Sequence, residues 1–331
     1  MDCLQDWPEP VVPVQSLLES GAPAIPDRYI KPPSERPSSD STAEENILGI
    51  PVIDLGRLLE GAPECRATMK AISDACRDWG FFQVVNHGIR HEVMEKIREV
   101  WRGFFHLPME AKKACANSPM TYEGYGSRVG VQKDAILDWG DYYFLHYLPP
   151  SVKNHDKWPA LPTLIRGTTE EYGGEMAKLC EILMKVLSVS LGLDVEFLRK
   201  ALGGDDVGAC LRVNYYPKCP QPDLTLGISA HSDPGALTVL LADDQVKGLQ
   251  VLSNAMYKSV EHRVVVNAAE ERLSLAFFYN PKSDLPLGPA RELVTPNRPP
   301  LYEPMTYNEY RLYIRKNGPS GKTQVESLKA M

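Results

Sequence analysis

The chain has 331 residues, of which 43% are hydrophobic, so it can bury the core of one large domain or two small ones. Its 36 basic and 43 acidic residues give a net charge of -7 spread along the sequence, which argues against a nucleic-acid-binding surface and a polybasic membrane anchor. We therefore expect a small-molecule substrate and neither a nucleic-acid nor a membrane partner, and the sequence leaves the oligomeric state open.

The cysteines and the N-terminus indicate a reducing compartment. Seven cysteines are scattered without a Cys-x-x-Cys motif or a paired framework. The first residues are acidic and lack the basic and apolar regions of a signal peptide, and no apolar run approaches the ~18 residues of a membrane span. We expect a cytosolic enzyme, and a nuclear share is also open.

The N-terminal half is predicted to alternate between helices and short strands. Residues 31–45 are rich in Pro, Ser and charge and are interpreted as a mobile linker. Branched apolar residues predict strands, and apolar residues three and four apart predict helices. The predicted strands are 50–55 and 81–86, and the predicted helices are 67–79, 92–105 and 171–202. Gly124-Tyr125-Gly126 is interpreted as a turn.

The C-terminal half, from Cys210 onward, is predicted to be rich in strands. Short runs of Val, Leu, Tyr and Phe are broken by Pro, Gly and Asp, as in LRVNYYP, ALTVLLA and RLSLAFFYN, which is the pattern of a barrel or sandwich. The pair Asp243-Asp244 is interpreted as a solvated turn between strands. Residues 307–316 return to helical spacing, with Arg311 and Arg315 on one face.

A candidate metal site is formed by His231, Asp233 and His262. His231 and Asp233 are two residues apart beside an apolar run, so both side chains would point to one side of a strand. His262 enters a strongly β-branched segment and supplies a third ligand. Two histidines and one carboxylate form the arrangement typical of non-haem Fe(II) oxygenases, although three such ligands would also suit catalytic zinc.

Arg272 and Ser274 favour iron over zinc chemistry. They lie ten and twelve residues past His262 and share one face of a strand, where they offer a guanidinium and a hydroxyl to a dicarboxylate. A zinc hydrolase has no such requirement. The alternative is that Arg272 pairs with a neighbouring acid, Glu270 or Glu271.

The ordered motifs resemble those of plant 2-oxoglutarate/Fe(II)-dependent dioxygenases. The set comprises Asn214-Tyr215-Tyr216-Pro217, His231-Ser232-Asp233, His262 and Arg272-Leu273-Ser274, and the likeness extends to IPVIDL and ACRDWGFFQVVNHGI. The segments DRYIKPPSERP, TYEGYGSRVGVQKDAILDWGDYYFLHYLP and FFYNPKSD are similar to the jasmonate-induced oxygenases, a subgroup described as leucoanthocyanidin dioxygenase-like.

This resemblance implies an α+β fold with a double-stranded β-helix, or jelly-roll, core flanked by helices. It implies an N-terminal segment and linker (1–47), an N-terminal dioxygenase region (48–165), and a helix plus jelly-roll domain with a C-terminal helix (166–331). His231, Asp233 and His262 would bind Fe(II), Arg272 and Ser274 would hold 2-oxoglutarate, and Asn214 and Tyr216 would line its pocket. In the family, O2 is consumed, 2-oxoglutarate gives succinate and CO2, and the substrate is hydroxylated; ascorbate is the expected reductant.

The subgroup further implies jasmonic acid as substrate, within jasmonate catabolism that damps defence signalling. A cyclopentanone acid with one carboxylate requires a basic anchor in an apolar pocket. The candidates are Arg212, Arg311 and Arg315 as anchors and Phe144, Phe278 and Tyr307 as walls. Arg311 and Arg315 could instead be solvated and pair with Glu309. A flavonoid, as in anthocyanidin synthase-like relatives, is the alternative substrate.

The sequence departs from the family between residues 250 and 251. His231 and His262 are only 31 positions apart, because Gly248-Leu249-Gln250 runs directly into Val251. About two core strands, on the order of 25 residues, are missing. Loss of core strands leaves backbone groups of their neighbours unpaired, so we expect reduced stability and an impaired approach of His262 to the metal. A truncated, non-catalytic isoform is therefore a further alternative.

Overall fold

The structure is a computed structural model that describes residues 7–21, 23–37, 49–59, 61–128, 130–251, 260–288, 294, 296 and 304–318. The first half contains, in chain order, α1 (Val14–Glu19), β1 (Val52–Asp54), α2 (Ala62–Asp78), β2 (Gln83–Val85), α3 (His91–Phe105), α4 (Met109–Lys113), β3 (Gly124–Gly126) and β4 (Asp141–Leu148). The second half contains α5 (Ile165–Ser190), α6 (Phe197–Ala201), β5 (Gly208–Tyr216), β6 (Ile228–His231), β7 (Leu237–Leu241), β8 (Leu249–Val251), β9 (His262–Val264), β10 (Arg272–Asn280), β11 (Pro286–Leu287), β12 (Met305–Thr306) and α7 (Tyr307–Asn317). No helix among these described residues is long and apolar enough to cross a bilayer.

Two antiparallel sheets form the centre of the fold. The larger has the order β3-β4-β5-β10-β7 and the smaller the order β6-β9-β8. Strands β1 and β2 form a parallel pair, and β11 pairs with β12. This mixed helix-and-sheet architecture is the predicted α+β class with a jelly-roll core.

The larger sheet separates the hydrophobic core from the functional face. Successive side chains on a strand point to opposite faces. On one face, β5 and β10 contribute Val213, Tyr215, Leu275 and Phe277 to a core that also contains residues of α3 and α5. The opposite face therefore carries the even-numbered residues of β5 and β10, which include Asn214 and Ser274 directly across from each other.

The edge strand β7 is less buried than the strands at the centre of its sheet. All five of its residues are only half-buried, whereas nearly every residue of β5 and β10 is buried. In the part of the chain that the structure describes, β7 pairs with β10 alone and β8 with β9 alone. If core strands are missing, the backbone N–H and C=O groups on the outer edges of β7 and β8 are the ones that lose their hydrogen-bond partners.

Two elements differ from their predicted extent or type. The helix predicted over 171–202 ends at Ser190, because Gly192 adopts a φ of +75°, and a short separate helix, α6, follows. Gly124-Tyr125-Gly126 is strand β3 rather than a turn. A Cβ on Gly124, which has a φ of +119°, would lie 2.4 Å from the backbone carbonyl oxygen of Cys115, so close backbone packing explains the glycine at this position of the strand.

The predicted mobile linker is wrong in its first part. Lys31 is only 2% exposed, and its ammonium lies 2.8 Å from the Asp138 carboxylate. Residues 7–21 and 23–37, which we call the N-terminal arm, are also held by Asp141, a buried carboxylate that accepts hydrogen bonds from the backbone N–H groups of Val14 (2.8 Å) and Gln15 (3.0 Å). Positions 38–45 of the predicted linker lie outside the described residues.

Candidate active site

The three candidate metal ligands converge at the end of the smaller sheet. His231 ends β6 and His262 begins β9, and the two residues are direct partners across the antiparallel pair. The Asp233 carboxylate lies 3.7 Å from His231 Nε2 and 3.9 Å from His262 Nε2. All three ligand atoms lie within 4.8 Å of one another. The expected impairment of His262 is therefore wrong, because β9 pairs directly with β6 despite the short connection.

Both imidazoles are oriented for metal binding. His231 Nδ1 lies 2.8 Å from the Ser229 carbonyl, and His262 Nδ1 lies 3.1 Å from the Val260 carbonyl. A carbonyl only accepts a hydrogen bond, so each Nδ1 carries the proton and each Nε2 presents its lone pair to the site. Burial and the neighbouring His262 lower the pKa of His231 to about 4, which keeps it neutral near pH 7. This donor set fits a divalent metal such as Fe(II).

The four residues predicted to bind 2-oxoglutarate form two adjacent cross-strand pairs. Arg272 lies opposite Tyr216, and Ser274 lies opposite Asn214. Arg272 is 3% exposed; its Nη1 lies 3.4 Å from Ser274 Oγ, and its guanidinium carbon lies 5.3 Å from the Tyr216 ring centre. Asn214 and Tyr216 line a cavity of only about 40 Å³, and neither Arg272 nor Ser274 lines the larger cavity described below.

Arg272 does not pair with the neighbouring acids. Its Nε donates to the Val246 carbonyl at 3.2 Å. Glu271, which immediately precedes β10, instead contacts His106 and accepts a short hydrogen bond from the hydroxyl of Tyr215, a residue on the core side of the sheet. Because the Glu271 carboxylate is engaged by these two side chains, the terminal nitrogens of Arg272 are left available to a dicarboxylate.

A cavity of about 640 Å³ adjoins the candidate metal site. His231 and Asp233 line it, together with all six predicted substrate residues: Arg212, Arg311, Arg315, Phe144, Phe278 and Tyr307. Strands β4, β5 and β10 supply one wall, and α7 supplies another. The structure thus brings the predicted substrate residues together beside the metal ligands, which is the placement that their predicted role requires.

The three arginines of this cavity have no carboxylate partner among the described residues. Arg212 Nε donates to Asn214 Oδ1 at 2.7 Å, and Arg311 Nη2 donates to Asn308 Oδ1 at 3.2 Å. Arg315 donates to two backbone carbonyls, and burial beside Arg311 lowers its pKa to about 10. Glu309 is instead held in a capping box with Thr306 at the start of α7, so the expected alternative pairing does not occur.

Two further cavity residues on β4, Tyr142 and His146, were missed by the sequence analysis. They flank the predicted Phe144 on the same face of the strand. Burial and the charges of Arg311 and Arg315 lower the pKa of His146 to about 4. The alternating pattern of DYYFLHYL over residues 141–148 is the signal that could have identified them.

Asp243 is not a solvated turn residue. Its side chain is 1% exposed and lies 3.2 Å from Arg102 of α3. It also accepts hydrogen bonds from the backbone N–H groups of Gln245, Val246 and Leu273. Asp243 thus fixes the turn whose Val246 carbonyl contacts Arg272.

Comparison with known proteins identifies the family. Residues 50–161 match the model of the non-haem dioxygenase in morphine synthesis N-terminal region. Residues 207–254 and 247–281 match the 2OG-Fe(II) oxygenase superfamily. The chain belongs to the 2OG-Fe(II) oxygenase superfamily. It is therefore an oxygenase that uses Fe(II), 2-oxoglutarate and O2, as its donor set and motifs predicted.

Individual relatives within this superfamily point to one subgroup. The chain is 56% identical to jasmonate-induced oxygenase 1 of Arabidopsis thaliana, covering 98% of this chain and 87% of that protein. It is 39% identical to flavanone 3-dioxygenase 2 of Oryza sativa subsp. japonica, covering 86% and 89%. The crystal structure of JOX2 in complex with 2OG, Fe and JA superimposes with a TM-score of 0.91 at 52% identity, covering 98% of this chain and 100% of that one.

The same comparisons support an internal deficit in this member of the superfamily. The alignment with Arabidopsis jasmonate-induced oxygenase 3 spans 361 positions against the 331 residues of this chain, so at least 30 positions of that relative are unmatched. The superfamily model matches in two pieces that overlap at residues 247–254, where the sequence predicts the missing strands. Residues 252–259 lie outside the described part of the structure.

Proposed function

We propose that this oxygenase hydroxylates jasmonic acid. The observation that carries the proposal is the set of three arginines, Arg212, Arg311 and Arg315, that line the cavity without a carboxylate partner among the described residues. Cations held in an otherwise largely apolar cavity are stabilised by a ligand carboxylate. The likeness to the jasmonate-induced oxygenases, and to the JOX2 complex with JA, supports the same substrate.

The proposed roles follow from where the side chains lie. The arginines would bind the carboxylate, while Phe144, Phe278 and Tyr307 would pack against the apolar body of the substrate and exclude water. His231, Asp233 and His262 would hold Fe(II), and Arg272 and Ser274 would bind the far carboxylate of 2-oxoglutarate, beside Asn214 and Tyr216. The bound iron would supply the activation of O2 that hydroxylation requires.

Neutral His146 suits this arrangement. At pH 7 its lowered pKa keeps it uncharged, so it adds no fourth positive charge to the carboxylate anchor and can still donate one hydrogen bond. In the cell, the proposed activity would remove jasmonate and damp defence signalling, with ascorbate as reductant and in a cytosolic or nuclear location.

The test is substrate-dependent succinate formation by the purified, iron-loaded chain. Jasmonic acid should stimulate succinate release and gain one oxygen atom, as measured by mass spectrometry, whereas a flavonoid should do neither. Stimulation by the flavonoid alone would overturn the proposed substrate and favour the flavonoid alternative.

The missing segment favours a second candidate function, namely a chain that folds but does not catalyse hydroxylation. At least 30 positions of a relative are unmatched, and β7 and β8 are edge strands among the described residues. A chain that binds Fe(II) and 2-oxoglutarate but releases no succinate with any acid would support this candidate.

A further inference from the structure

Residues 136–140 connect the N-terminal arm to the strand that carries His231. The backbone N–H of Leu137 donates to the Arg28 carbonyl in the arm at 2.7 Å. Two residues later, the N–H of Trp139 donates to the carbonyl of Leu226, just before β6, at 2.8 Å. Trp139 also packs against Tyr29 of the arm, with ring centres 5.2 Å apart. The segment therefore holds the arm against one side of β6.

Asp138 lies at the centre of this connection. Its Oδ1 is 2.8 Å from Lys31 Nζ, and it accepts hydrogen bonds from Ser229 Oγ at 2.6 Å and from the Ser229 backbone N–H at 3.0 Å. Lys31 is 2% exposed and Asp138 17% exposed. A buried ammonium requires such a partner, so the ion pair fixes the carboxylate in place.

Ser229 contacts both Asp138 and the candidate metal ligand His231. Its carbonyl accepts the hydrogen bond from His231 Nδ1 at 2.8 Å, which sets the direction of Nε2. The pairing of β6 with β9 is irregular at this point: Ile228 lies opposite Val264 and His231 opposite His262, so β6 has one extra residue. A bulge of this kind interrupts the ladder and re-aims side chains. Asp138 accepts the two hydrogen bonds that Ser229 donates within this irregular stretch.

We propose that Asp138, with Lys31 as its counter-ion, is a positioning residue for the iron ligand His231 and makes the N-terminal arm part of the metal site. The inference rests on the proposed role of His231, Asp233 and His262. Hydrogen-bond partners of metal ligands fix ring orientation, and their loss typically weakens metal affinity by about 10- to 100-fold. In this chain the orientation of His231 depends on a lysine about 200 positions earlier.

The experiment is an anaerobic titration of the full metal-free chain with Co(II), followed by its visible absorption, which needs no turnover. Asp138→Ala leaves the Ser229 carbonyl in place but removes the two hydrogen bonds that hold Ser229, so it should weaken Co(II) affinity by about fivefold or more. Asp138→Asn, whose Oδ1 can still accept from Ser229 but no longer carries the charge that pairs with Lys31, should lose less Co(II) affinity than Asp138→Ala. Arg28→Met is the matched control, because it removes the ion pair of Arg28 with Glu9 in the same arm without contacting Asp138.

Thermal unfolding of the metal-free variants separates positioning from general damage. The proposal predicts that Arg28→Met changes unfolding without changing Co(II) affinity, whereas Asp138→Ala changes both. Unchanged Co(II) affinity in folded Asp138→Ala, or an equal loss in Arg28→Met, would overturn it. If Asp138→Ala does not fold, Ser229→Ala should weaken Co(II) binding at least about twofold by loss of one hydrogen bond, and an unaltered affinity overturns the proposal. If His231→Ala binds Co(II) as the unsubstituted chain does, the proposed metal site itself fails.

Discussion

Replacing Arg311 with methionine tests the proposed carboxylate anchor. Arg311 Nε is buried and makes no hydrogen bond to the described residues. The Nη2 atom of Arg311 donates a hydrogen bond to Asn308 Oδ1. Methionine keeps much of the apolar stem and removes the charge. The substitution should therefore affect recognition of a carboxylate more than the packing of α7.

The expected rise in the KM for jasmonic acid follows from the energy of one hydrogen bond to a charged group. A hydrogen bond to a charged group contributes about 1.5–3 kcal/mol, which corresponds to roughly a 10- to 150-fold rise in the KM for jasmonic acid. Arg212 and Arg315 remain, so binding should weaken without being abolished. The KM for 2-oxoglutarate should change little.

The assay compares jasmonic acid with its neutral methyl ester by succinate release. The unsubstituted enzyme should prefer the acid, and Arg311→Met should remove most of that preference while changing turnover of the ester less than about threefold. Lys316→Met is a matched control, because Lys316 is an exposed cation of the same helix that does not line the cavity. Equal losses for acid and ester, or a preference for the acid that is unchanged in Arg311→Met, would refute the reasoning.

Three further predictions concern the cosubstrate, pH and the missing strands. Arg272→Met should raise the KM for 2-oxoglutarate by about tenfold or more and leave Co(II) binding intact, as measured by steady-state kinetics and absorption titration; a weakened Co(II) site would contradict the separate roles. His146 and His231 have pKa values near 4 when folded and about 6.5 when unfolded, so the unfolded state binds more protons between these values. Urea unfolding of the metal-free protein should show stability that is fully present above pH 6.5 and lost as the pH falls toward 4, by about 2–3 kcal/mol per histidine; a flat profile would contradict it. Inserting the relative's unmatched segment between residues 250 and 251 should raise the thermal midpoint by at least several degrees, since it would pair the edges of β7 and β8, and an unchanged midpoint would contradict the deficit.

The chemistry-bearing residues could be predicted from sequence because strand periodicity is local. Positions two apart on a strand share a face, which is sufficient to associate His231 with Asp233 and Arg272 with Ser274. The structure adds the cross-strand register that places Asn214 opposite Ser274. The two associations along a strand, His231 with Asp233 and Arg272 with Ser274, require no knowledge of distant parts of the chain, whereas the cross-strand register does.

The errors arose where a residue's partner is remote in sequence. Lys31 reads as part of a polar linker, yet its partner Asp138 lies more than 100 positions later. In the sequence, Asp243 has the pattern of a solvated turn residue, but in the structure it contacts Arg102 of α3, which lies more than 100 positions earlier. Strand β3 is only three residues long and contains two glycines, so no periodicity distinguishes it from a turn. Tertiary packing determines each of these outcomes.

The central claim is that this shortened chain still assembles its iron site from His231, Asp233 and His262. Anaerobic titration of the folded chain with Fe(II) and 2-oxoglutarate tests it most directly, through the metal-to-ligand absorption band of the chelated complex. The geometry of the three ligand atoms predicts that the band appears at a 1:1 ratio of iron to protein and is lost in Asp233→Ala. Folded protein that shows no band would contradict the account.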